Sequence, residues 1–255
     1  MFSYVDEGQG EVLVFIHSYL WDKEMWRPQI NFFKDRYRCI SIDLFGHGNS
    51  PLLDIETDLE TIAKDIVLFL ENLEITMYTY IGLSVGGMLA PYMYKHDKDR
   101  IRKIIMMDTY VGVEPHATQE LYFNLLDTIE KTHKIPEPLI EKIAPMFFSP
   151  QVDRNSKLYL DFANHLRTLK PENIPTIVKM GYAIFGRYGV LEYLSHIQVP
   201  LIFITGECDI PRPFKEAQEM AKLNAHSELY SVKNAGHISN LENSDEVNRI
   251  LDSII

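Results

Sequence analysis

Cysteine is scarce in this chain. Only Cys39 and Cys208 occur in 255 residues, and no C-x-x-C spacing joins them. A disulfide framework is excluded on that count. Cys208 has no activating neighbour in sequence and reads as a bystander. Long apolar runs are also missing, because stretches such as 12–16 and 201–204 fall far below the ~18 residues of a membrane span. The N-terminal residues lack a charged stretch followed by an apolar one, so a cytoplasmic location is expected. Basic runs are absent as well. With 36 acidic against 25 basic residues the formal net charge is −11, which repels nucleic acid and anionic membranes. Neither is expected as a partner. The nine histidines show no H-E-x-x-H or similar spacing, so no metal is expected. The Gly-x-Gly pairs Gly8-Gly10 and Gly46-Gly48 lack the third glycine of a dinucleotide fingerprint, and no cofactor is implied.

What is present is an ordinary globular composition, 46% hydrophobic and 24% charged, long enough for one large domain with an insertion. Residues 2–6 suggest an opening edge strand. Val12 to Ile16 is a continuous apolar run, as a strand buried on both faces requires, and Arg38 to Asp43, Ile101 to Met107 and Pro200 to Ile204 read as further short strands. Asp58 to Leu73 carries an apolar stripe at helical spacing. Strands alternating with helices predict a mostly parallel sheet with helices on both faces. Residues 112–196 break the rhythm. They hold helix-like stretches near 118–132, 137–148, 153–169 and 173–186, separated by prolines and without a strand pattern. The expected organisation is a core of 1–111 and 197–255 with a helical cap, 112–196, inserted between.

The centre of the chain is residues 77–90. Met77 to Ile81 reads as a buried strand, Gly82-Leu83-Ser84-Val85-Gly86 as a sharp turn, and the following residues as a helix. A G-x-S-x-G in that setting is a nucleophile elbow, with Ser84 at its apex and the positive end of the helix dipole behind it. The bare pattern arises by chance in roughly one chain in ten of this length, so its partners decide the matter. A serine nucleophile needs a base to take its proton and an acid to orient that base. Asp209 follows the 200–204 strand, and His237 follows the stretch Leu229 to Val232. Together they supply the order Ser, Asp, His at strand ends. Asp108 is the rival acid, since it too ends a strand between Ser84 and His237. Glu207 lies nearer its strand and is expected to point elsewhere. His17 and His47 read as structural supports of their loops. For the oxyanion hole, the backbone N–H groups of Val85 and Tyr19 are the expected donors.

At Phe15-Ile16-His17, Trp26, Asp43-Leu44-Phe45-Gly46-His47-Gly48-Asn49-Ser50, Gly82 to Gly87, Gly206-Glu207-Cys208-Asp209 and Gly236-His237, the chain resembles the α/β-hydrolase superfamily. The branch it is similar to holds cofactor-free esterases, enol-lactonases and non-haem haloperoxidase-like members with a helical cap. The likeness spans nearly the whole length. It implies an α/β-hydrolase fold, the triad Ser84, Asp209 and His237, the oxyanion donors Tyr19 and Val85, and neither cofactor nor metal. The implied substrate is a small apolar ester or lactone, cleaved through an acyl-enzyme. Perhydrolysis, carbon–carbon bond hydrolysis and a receptor without turnover are the alternatives. Two positions depart from the pattern: Ser18 where the family places glycine, and Leu20 where perhydrolase-like members often carry proline. Aromatic and methionine side chains of the insertion, among them Tyr122, Phe123, Met146, Phe147, Phe162 and Phe185, are expected to pack as a lid, some of them lining an apolar pocket over Ser84.

Overall fold

Apolar runs too short for helices and bounded by turn formers pair into the sheet that organises the molecule. The computed structural model describes residues 1–255. The strands are β1 (Tyr4–Glu7), β2 (Val12–Ile16), β3 (Arg38–Ile42), β4 (Tyr78–Leu83), β5 (Ile101–Met107), β6 (Leu201–Gly206) and β7 (Glu228–Val232). They form one seven-stranded sheet in the order β1-β3-β2-β4-β5-β6-β7. β1 runs antiparallel to β3, and every other neighbouring pair is parallel. The opening strand starts later than the apolar pattern suggests, because Phe2 is drawn into the core. Its ring lies 4.6 Å from that of Phe45 and 5.6 Å from that of Phe69.

The central strands β4 and β6 are buried at every residue. That is the condition for a parallel sheet with helices on both faces. β3 pairs on one side of β2 and β4 on the other. The winding therefore reverses at β2, and a crevice opens between the loops that leave the carboxyl ends of β2 and β4. His17 to Leu20 and Ser84 occupy those two loops.

The helices are α1 (Arg27–Phe33), α2 (Leu59–Asn72), α3 (Val85–Asp97), α4 (His116–Thr132), α5 (Glu137–Ile143), α6 (Lys157–Arg167), α7 (Ile174–Phe185), α8 (Phe214–Ala221), α9 (Ser239–Glu242) and α10 (Ser244–Ile254). α2 buries Leu59, Ile62, Ala63, Ile66, Val67 and Leu70 along one stripe. It starts where Asp58 accepts the Thr61 N–H at 2.7 Å, a cap worth about 1 kcal/mol.

Between β5 and β6 stand α4 to α7 and no strand. Proline trims these helices relative to the periodic pattern. The stretch 137–148 divides into α5 and a 3₁₀ turn, Ala144–Phe147, with Pro145 at the start of the turn. A proline there cannot donate the next α-helical hydrogen bond. α6 begins at Lys157 because Ser156 Oγ accepts the Tyr159 N–H at 3.3 Å.

Candidate active site

β4 delivers the chain to Ser84 in a conformation that ordinary residues avoid, φ 56° and ψ −114°. Such backbone costs on the order of 1–3 kcal/mol and persists only when its surroundings enforce it. Here Ser84 N–H donates to the Met107 carbonyl at 2.8 Å. The Ser84 carbonyl accepts from Thr109 Oγ1 at 2.7 Å and from Met88 N–H at 2.9 Å. The flanking glycines are steric requirements. A Cβ on Gly82 would overlap the Gly86 backbone, and one on Gly86 would overlap the Ile16 carbonyl. The elbow therefore closes against both α3 and β2.

Three loops meet at Ser84. Its Oγ lies 2.9 Å from His237 Nε2, and His237 Nδ1 lies 2.9 Å from Asp209 Oδ2. A carboxylate beside Nδ1 holds the proton on that nitrogen and leaves Nε2 to accept from the serine hydroxyl. Asp209 Oδ1 accepts the Arg212 N–H at 2.9 Å, so both carboxylate oxygens are engaged. Ser84, Asp209 and His237 are 7%, 6% and 5% exposed, and burial strengthens each of these contacts. The two rival acids lie apart from the histidine. Asp108 accepts from Gly206 N–H at 2.7 Å and from Ser239 Oγ at 2.5 Å. Glu207 is exposed and faces Ser231 Oγ at 3.4 Å.

The loop after β2 carries the second set of donors. The N–H groups of Tyr19 and Val85 have no acceptor within the chain, as oxyanion donors require. Val85 opens α3, where N–H groups are free by construction. Tyr19 is anchored from its far end, its hydroxyl donating to the Ile177 carbonyl of α7 at 2.8 Å. Leu20 adopts φ 64°, and its N–H donates to His47 Nε2 at 3.1 Å. Proline is capable of neither. His47 Nδ1–H in turn donates to the Phe45 carbonyl at 2.8 Å. His17 repeats the scheme, with Nδ1 to the Ser18 carbonyl at 2.7 Å and Nε2 accepting the Leu44 N–H at 2.8 Å. Burial holds both imidazoles neutral, pushing His17 down and His47 down to about 3. Both act as supports for their loops, with one ring nitrogen donating and the other accepting.

The sequence model of the alpha/beta hydrolase fold matches residues 11–244. The chain belongs to the α/β-hydrolase fold family. It is 24% identical to 3-oxoadipate enol-lactonase 2 of Acinetobacter baylyi, over 99% of this chain and 92% of that protein. It is 25% identical to a pimeloyl-[acyl-carrier protein] methyl ester esterase of Legionella pneumophila, over 97% and 96% of the two chains. Among solved structures, a thermophilic esterase from Thermogutta terrifontis superposes with a TM-score of 0.90 at 21% identity, covering 99% of this chain and 92% of the other.

In this α/β-hydrolase, Ser84 and His237 open onto a cavity of about 80 Å³, and 12 of its 17 lining residues are hydrophobic. Tyr122, Met146, Phe147 and Phe185 of the 112–196 segment border it. Phe123 and Phe162 do not. Phe123 packs on Tyr182 at 5.0 Å, and Phe162 stacks on Trp21 at 4.2 Å. The lining also includes Leu125, Leu126, Ile129 and Ile184 on the inner faces of α4 and α7, and Arg212 after β6. The aliphatic groups follow from helical spacing once the packed faces of α4 and α7 are known. No sequence signal marks Arg212, whose partner Glu114 lies 98 residues away. No group of three or more His, Cys, Asp or Glu side chains is placed to hold a metal ion. No helix is long and apolar enough to cross a membrane.

Proposed function

We propose that this α/β-hydrolase cleaves small carboxylic esters or lactones through an acyl-enzyme on Ser84, with His237 as base and Asp209 as the acid that orients it. The observation that carries the reading is the hydrogen-bonded series Ser84 Oγ, His237 Nε2, His237 Nδ1, Asp209 Oδ2, with both links at 2.9 Å, at the edge of an apolar cavity. His237 takes the Ser84 proton as Oγ attacks the carbonyl carbon. The oxyanion forms opposite the N–H groups of Tyr19 and Val85. His237 then protonates the leaving oxygen, and a water activated by the same imidazole releases the acid. The relatives named as an enol-lactonase and a methyl ester esterase support the same bond class.

Residues 112–196 serve in this reading as a cap, because α4 and α7 supply half of the hydrophobic lining and exclude water from the acyl group. Leu20, with its positive φ and its N–H given to His47, sets the loop differently from a proline-bearing one. Water is therefore the expected nucleophile of the second step, with peracid a minor product when hydrogen peroxide is added.

The test is covalent. A fluorophosphonate probe should add to Ser84, and Ser84→Ala should abolish both labelling and ester hydrolysis while circular dichroism is unchanged. Labelling that survives Ser84→Ala, or hydrolysis that does, would overturn the mechanism.

A further inference from the structure

Apart from His237, the cavity beside Ser84 has a single lining side chain that carries charge, Arg212. It is drawn in by a buried cluster. Glu114 Oε2 accepts from Arg212 Nη2 and from Arg187 Nη1, the latter at 2.9 Å. The side chains of Glu114, Arg187 and Arg212 are only 2%, 2% and 4% exposed. Glu216 is the remaining charge at Arg212, 3.5 Å from Nη1 and 21% exposed. One buried carboxylate thus answers two buried guanidiniums, and Arg187 keeps Nε and Nη2 without partners. Burial pushes the Glu216 carboxyl up while the charge of Arg212 pulls it down.

Tyr122 stands on the same cavity, and its hydroxyl has no hydrogen-bond partner in the chain although the residue is only 9% exposed. Burial raises the Tyr122 phenol, and nearby charges act on it in both directions, Arg212 and Arg187 pulling it down and Glu114 and Asp209 pushing it up. The other lining groups of this part of the chain are aliphatic or aromatic, such as Leu125, Ile129, Ile184 and Phe185.

Buried ion clusters are weak sources of stability, since desolvation offsets most of the attraction. The Tyr122 hydroxyl makes no bond within the chain and is free to donate to a ligand in the cavity. A carboxylate suits both groups, because it accepts charge-assisted bonds from a guanidinium and a further bond from a phenol. The apolar lining suits the methylenes between that carboxylate and the scissile carbonyl. With an ester the alcohol departs after the first step, with a lactone it stays tethered to the acyl chain, and in both the acyl group stays on the serine through both steps. A subsite in the cavity beside Ser84 therefore acts on the acyl side.

We propose that Arg212 and Tyr122 form a carboxylate subsite, and that the preferred substrate is an ester or lactone whose short acyl chain ends in a carboxylate. This deepens the ester-hydrolase reading and rests on it.

The experiment compares mono-4-nitrophenyl glutarate with 4-nitrophenyl valerate, which share leaving group and chain length and differ in a terminal carboxylate against a methyl. The wild type should favour the glutarate by at least about tenfold in kcat/KM, the effect of roughly one charge-assisted hydrogen bond. Arg212→Gln should reduce that ratio about tenfold or more, mainly through KM for the glutarate. Tyr122→Phe should reduce it about threefold, and it keeps the test open if Arg212→Gln does not fold. A merely structural role would lower both esters together and leave the ratio unchanged. A wild-type ratio at or below unity, or a ratio untouched by both substitutions, overturns the subsite. If neither ester is cleaved, the hydrolase reading fails by itself. Calorimetry of monomethyl glutarate binding to Ser84→Ala, with and without Arg212→Gln, then decides the subsite: about tenfold weaker binding in the double variant supports it, and equal binding overturns it.

Discussion

Two aspartates end neighbouring strands of this sheet, and the loops they begin are used differently. Asp108 follows β5 and Asp209 follows β6 after two intervening residues. Both are buried and both have two hydrogen-bond partners. Asp209 divides its oxygens between the Arg212 N–H and His237 Nδ1. Asp108 gives its own to the Gly206 N–H and the Ser239 hydroxyl. Gly206 ends β6, three residues before Asp209, and Ser239 lies two residues after His237. Asp108 thereby ties together the two loops that carry Asp209 and His237, without touching the imidazole. A carboxylate at a strand end takes its role from the loop that folds over it.

The sharpest way to break the comparison is to remove each charge while keeping the shape. In the proposed mechanism, Asp209→Asn leaves His237 in the wrong tautomer, and turnover should fall by about 10³–10⁴. Asp108→Asn should cost less than about tenfold, since its amide still accepts from Gly206 and donates to the Ser239 oxygen. Steady-state rates on one activated ester measure both. A reversed order would move the acid to the β5 loop.

Deleting the Asp108 side chain tests its clamping role. Asp108→Ala strands the Gly206 N–H and the Ser239 hydroxyl in a dry site and should cost about 2–4 kcal/mol of stability. Asp108→Asn should stay within about 1 kcal/mol of wild type. Urea unfolding distinguishes them, and equal losses would mean that the contacts themselves contribute little.

The smallest effect is one of pH. Burial and the nearby Asp209 charge push the Asp108 carboxyl well above its ordinary value of 3.8. The folded protein then holds that proton more tightly than the unfolded chain. The contribution is therefore fully present below the unfolded value and is lost as pH rises through the folded one. Asp108→Asn carries no such loss, so its Tm relative to wild type should climb by about 2–4 °C from pH 4 upward. A difference that is flat or falls with pH would show the carboxylate to be comfortably ionised.

Much of the molecule was legible before any coordinates. β2 lies where its continuous apolar run places it and β5 where the short strand read at 101–107 places it, α2 where its stripe and Asp58 cap indicate, and the elbow where Gly82 and Gly86 bracket Ser84. These are local facts. Strand and helix periodicity, capping and the steric freedom of glycine act over a few residues, and a few residues suffice to state them. The strand-end positions of Asp209 and His237 were likewise visible, because the sheet sends every parallel strand to the same edge.

The choice between Asp108 and Asp209 was not local. It depends on which carboxylate the His237 ring reaches, a distance that only the packing of the β5, β6 and β7 loops sets. Leu20 stood out as a missing proline, but its positive φ and its bond to His47 come from a loop 27 residues away. Arg212, Glu114 and Arg187 had no motif at all. Charges scattered along a sequence read as solvated surface, and only the tertiary structure drew these three out of water and set one of them on the wall of the cavity.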